Sequence, residues 1–105
     1  MTTFFVVECI QGKSWDPTRG MREQDQWLEH AAFMDILEAE GFIVLGGPLD
    51  SSLDNQHSAL LIIDAPNEEI IKSRLSSDPW SQLGILETKY IKLWTILLDS
   101  QLNSK

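Results

Sequence analysis

The sequence is poor in the residues that build covalent staples and metal sites: among 105 residues it has one cysteine, Cys9, and two histidines, His30 and His57. No intrachain disulfide can form, so a reducing, cytoplasmic setting is expected and the core alone must hold the fold. With so few His and Cys side chains no dedicated metal site is expected. No P-loop, dinucleotide fingerprint or nucleophile elbow occurs either, and no cofactor is expected. Basic residues are scarce, 8 against 16 acidic ones, for a net charge of −8. A phosphate backbone needs a basic footprint, so nucleic acid is excluded as a partner. The longest apolar run falls far short of a membrane span. The N-terminus has neither a basic segment nor a small-residue cleavage site, and no signal peptide is expected.

What is present suits one small domain, residues 1–99, followed by a polar tail at 100–105. Thr2 to Ile10 (TTFFVVECI) is β-branched and aromatic and reads as a strand. A loop of about a dozen residues follows, from Gln11 to Arg22, a length often reserved for function. The next segment, from about Glu23 to Glu40, has helical periodicity, with Gly41 placed as a left-handed C-cap. FIVLGGP, His57 to Asp64, and LETKYIKLWTILLD to Asp99 read as three further strands. Asn67 caps a short helix, EEIIKSRL, and SSDPWSQLG forms a turn or helical stub. The order β-α-β-β-α-β predicts a ferredoxin-like α+β fold with one antiparallel sheet.

That sheet is apolar on both faces. Phe5, Val7 and Cys9 alternate with Phe4, Val6 and Ile10, and the other strands behave alike. Two helices cover one face only, whereas an exposed face should be polar. A second copy packed sheet to sheet is the simplest cover, so a homodimer is expected.

The helical periodicity puts His30 on one arc with Trp27, Phe33, Met34 and Leu37, facing the sheet. A buried imidazole needs a partner. One reading is a core histidine bonded to a backbone carbonyl; the other is a proton-transfer group in a pocket under the helix. For the second, an orienting carboxylate must come from Glu8 or Asp78. Asp78 also opens DPW, the pattern of an N-cap followed by proline. Trp80 reads as a core or interface anchor. Arg22, with Arg19 and Lys13, marks a small positive spot before the helix, suited to an anion. Gly47 and Pro48, in the GGP breaker, allow a small ligand close to the backbone.

In order along the chain, EHAAFMDIL, GFIVLGGP, DPWSQLG and IKLWTILL resemble the YCII-related family, small proteins of the dimeric α+β barrel superfamily. The resemblance covers nearly the whole chain. It implies a ferredoxin-like protomer that pairs through its sheet faces, and a site built on a His–Asp pair, here His30 and Asp78. The chain departs from the family in carrying Trp80 where Tyr or Phe is common, and in the long loop from Gln11 to Arg22. On this reading Asp78 fixes the tautomer of His30, whose other nitrogen moves a proton. Trp27 and Trp80 form apolar walls and Arg22 holds a substrate anion. The expected chemistry is isomerase or lyase action, without metal, on a small organic acid, lactone or phenol. The competing expectation is a non-catalytic, metabolite-binding or accessory dimeric module.

Overall fold

The computed structural model describes residues 3–49 and 58–100. Four strands, β1 (Phe4–Gln11), β2 (Ile43–Leu49), β3 (Ser58–Asp64) and β4 (Leu86–Trp94), form one sheet in the order β2-β3-β1-β4. Every neighbouring pair is antiparallel. Three helices accompany it: α1 (Trp27–Ala39), α2 (Glu68–Leu75) and the short α3 (Pro79–Leu83). β1 and β2 flank β3 and so run parallel to each other, joined by α1; β3 and β4 flank β1 in the same way, joined by α2 and α3. These two interleaved split βαβ units make the ferredoxin-like α+β fold expected from the element order.

Strand periodicity decides which face is core. Phe5, Val7 and Cys9 are buried, and the register sets them beside Ile63, Leu61 and Ala59 of β3. Leu37 from α1 and Ile71 and Leu75 from α2 close this layer, and Val7, Ile63 and Ile71 expose 0% of their surface. Val6, Leu60 and Ile62 share the opposite face and are only half-buried. By register Leu45, Leu49 and Trp94 join them, exposed by 67%, 40% and 42%. The protomer thus leaves an apolar sheet face open to solvent.

Local signals set the helix ends. Asn67 Oδ1 accepts a hydrogen bond from the Ile70 amide at 3.0 Å, with Glu68 and Glu69 in the first turn. Gly41 and Gly84 take left-handed φ values of 81° and 75°, a conformation that lets the chain leave α1 and α3 without a Cβ clash. Two expected boundaries move. α1 begins at Trp27 rather than Glu23: Met21–Glu23 is a separate 3₁₀ turn, and Gln26 breaks the run with a φ of 56°. The last strand ends at Trp94, five residues before the expected Asp99. His57, the first two residues of the chain and the tail beyond residue 100 lie outside the described residues. No helix among the described residues is long and apolar enough to cross a membrane.

Candidate functional site

His30 sits one turn into α1, on the face that meets the sheet, and is 8% exposed. Its Nδ1 lies 2.8 Å from Asp78 Oδ1 and 3.0 Å from Asp78 Oδ2. A carboxylate only accepts, so Nδ1 is the protonated, donating nitrogen and Nε2 is the one left to take up or release a proton.

Asp78 is 1% exposed and does two jobs with one oxygen. Its Oδ1 also accepts the Trp80 amide at 3.1 Å, capping α3 ahead of Pro79. The N-cap and the histidine partner, alternatives in the sequence, coexist in the structure. Glu8, the other carboxylate considered for His30, stands on the opposite sheet face. There it lies beside Tyr90, where burial first, and then the hydrogen bond to Glu8 and its negative charge, keep the Tyr90 hydroxyl pKa above its usual value.

Two tryptophans, Trp80 and Trp27, flank the histidine, and a third, Trp15, packs on Trp80. The Trp80 ring, 2% exposed, lies parallel to the imidazole at 3.9 Å between centroids and 4° between planes. Its Nε1 donates to the Asp25 carbonyl at 2.8 Å. That bond occupies a carbonyl just upstream of α1 and helps explain the late start of the helix. Trp27 tilts against Trp80 at 5.6 Å, and Trp15 meets it edge-on at 5.8 Å and 88°.

These rings border a cleft of about 680 Å³ between α1 and the inner sheet face. His30, Trp27, Trp80, Gly47 and Pro48 line it; Arg22 does not. Arg22 is exposed, with its guanidinium 5.8 Å from the Trp27 ring centroid. Arg19 is held by Asp16 at 3.1 Å and Asp25 at 3.3 Å. A Cβ on Gly46 would come within 2.8 Å of Leu61 Cδ2, while at Gly47 nothing lies within 4 Å, so Gly46 is the tighter of the two. Cys9 also faces the cleft, and burial pushes its thiol up to about 11 against a weaker, opposing hydrogen bond with Thr88. A thiol so raised is no nucleophile near neutrality. Among the described residues no three His, Cys, Asp or Glu side chains gather where they could hold a metal ion.

Two contributors escaped the sequence reading. Trp15 is the lone aromatic in the polar loop, and its isolation there was the available signal. Gln24, 3% exposed, is a plain amide in a polar stretch and gave none. It accepts the Asp16 amide at 3.0 Å and donates to the carbonyls of Asp16, Arg19 and Gly20 at 2.8, 3.1 and 3.3 Å. The loop that carries Trp15 is therefore closed on a buried side chain. Thr18 further tightens it by donating its hydroxyl and amide to Asp16, which holds that carboxyl below its usual range.

No protein-family model matches the chain, and no curated protein matches it. Among solved structures it is similar to 5-chloro-2-hydroxyhydroquinone dehydrochlorinase from Burkholderia phenoliruptrix AC1100, in complex with 2,5-dihydroxybenzoquinone. The TM-score is 0.60 at 21% identity, over 88% of this chain and 93% of that one, a likeness of fold.

Proposed function

We propose that the chain is a YCII-like protein of the dimeric α+β barrel type that performs acid–base chemistry on a small organic acid, lactone or phenol. The observation that carries this reading is the His30–Asp78 pair, bonded at 2.8 Å, with His30 in the wall of an aromatic cleft and Asp78 buried behind it. Asp78 orients the ring, and Nε2 of His30 abstracts or delivers the proton of an isomerisation or elimination. The similar fold of a dehydrochlorinase, whose name describes an elimination, supports lyase over other classes. The open apolar sheet face supports a homodimer formed through it. The buried, reduced Cys9 suits a cytoplasmic setting.

A second reading has its own observation. Capping α3 gives Asp78 a reason to be buried without catalysis, and His30 would then be a structural donor in a metabolite-binding or accessory module. The two separate in a proton-NMR titration of His30 in a His57→Asn background, repeated with Asp78→Asn. The catalytic reading expects ring signals that move with pH in the folded protein and respond to removal of the Asp78 charge. A ring that is silent over the accessible range and indifferent to Asp78 overturns it.

A further inference from the structure

The charges around the cleft narrow what it accepts. Apart from His30 and Cys9, the titratable side chains that line it are the carboxylates Asp35 and Glu38, and no lysine or arginine is among its lining residues. Both carboxylates are exposed, about one turn apart on α1. Of the cations in the preceding loop, Arg19 pairs with Asp16 and Asp25, while Lys13 and Arg22 are exposed and are not among the lining residues, Arg22 lying 5.8 Å from the Trp27 ring centroid. Lys72 and Arg74 pair with Glu68 and Glu40. Deeper in, His30 rests against Asp78, so even a protonated imidazole leaves that pair with no net positive charge. The whole chain adds a background of −8.

From this arrangement we infer that the cleft selects an uncharged aromatic or lactone-like ring and disfavours free carboxylates. The inference deepens the proposed function and rests on its reading of the cleft as the ligand site. Of the three substrate classes named there, it keeps phenols and lactones and removes organic acids. Trp15 and Trp27 supply apolar surface for such a ring, while Asp35 and Glu38 repel an anion at the mouth.

The test compares two probes with the same ring, resorcinol and 3-hydroxybenzoate, titrated at pH 7 and followed by the indole N–H signals in NMR. Two carboxylates at the mouth should make resorcinol bind roughly tenfold tighter at low salt, a preference that shrinks in about 0.5 M sodium chloride. In the Asp35→Asn/Glu38→Gln double variant, 3-hydroxybenzoate should tighten severalfold while resorcinol is unchanged. Equal affinity of the two probes, a ratio that the double variant does not move, or a cleft that binds neither overturns the inference. His30→Gln should retain the preference, because it leaves the mouth charges in place. Failure here is therefore distinct from failure of the acid–base reading, which the His30 titration decides.

Discussion

The imidazole of His30 is stacked flat on the indole of Trp80, 3.9 Å between centroids, while its Nδ1 points at Asp78 from 2.8 Å. One ring is thus fixed in two directions, by a face contact and by an in-plane hydrogen bond. The stack has a spectroscopic consequence. Ring protons of His30 should resonate upfield of their usual positions in the folded protein, and Trp80→Leu should return them downfield. Unshifted signals in the wild type would contradict the stacked geometry.

Asp78 carries both the histidine bond and the α3 cap, so its replacements should fall in order. Asp78→Ala removes a buried hydrogen-bond partner and an N-cap together, and should cost about 2–4 kcal/mol of stability. Asp78→Asn keeps an oxygen for the cap and should cost roughly half as much, about 1–2 kcal/mol. Urea denaturation of the three proteins checks the order. Equal losses for the two variants would mean that the cap contributes nothing.

Alkaline pH should expose the burial of Cys9. The folded thiol titrates at about 11 against an ordinary value of 9.0. Below pH 9 both states hold the proton and nothing is lost. Above it the unfolded chain releases the proton first, so stability declines up to the folded pKa by a total of roughly 2–3 kcal/mol. The difference between wild-type and Cys9→Ala stability curves isolates this term from other alkaline titrations. A parallel pair of curves from pH 8 to 11 would refute it.

Gly12 lies where the loop leaves β1, with its amide bonded to the Ile85 carbonyl at 2.8 Å. A Cβ there would run into the carbonyl oxygen of Gly84. Gly12→Ala should therefore lift the loop that carries Trp15 and cost about 1–3 kcal/mol, the range seen for forced overpacking. Thermal unfolding reads the cost, and the Trp15 indole signal should shift.

The open sheet face yields a test of assembly. Light scattering at micromolar concentration should give twice the protomer mass of 11.9 kDa. Ile62→Lys, in the middle of that face, should give the single mass with the His30–Asp78 pair intact. A wild-type monomer under those conditions sinks the dimer.

Much of the site was legible because helix and strand periods are simple. The 3.6-residue repeat placed His30 between Trp27 and Met34 on the inward arc of α1, where it is found. The two-residue repeat also held an unused answer. Glu8 lies between the buried Val7 and Cys9 in β1, so it had to face away from them and from α1. Asp78 was the carboxylate that parity allowed. The start of α1 was hidden for a different reason. The Asp25 carbonyl, two residues before the helix, is taken by Trp80, 55 residues away, and Gln24 turns its amide into the preceding loop. Local propensity carries no record of such long-range bonds. Nor did the sequence distinguish a cation near the helix from one lining the cleft; Arg22 is the first and not the second.

His30 belongs to the connection between β1 and β2, and Asp78 to the connection between β3 and β4, 48 residues along the chain. Neither half of the protein owns the site. The dyad comes into being only when both crossovers have docked on the shared sheet, so its signal in NMR reports completed folding. A chain with helices formed but one crossover adrift would keep its circular dichroism and lose the His30–Asp78 contact.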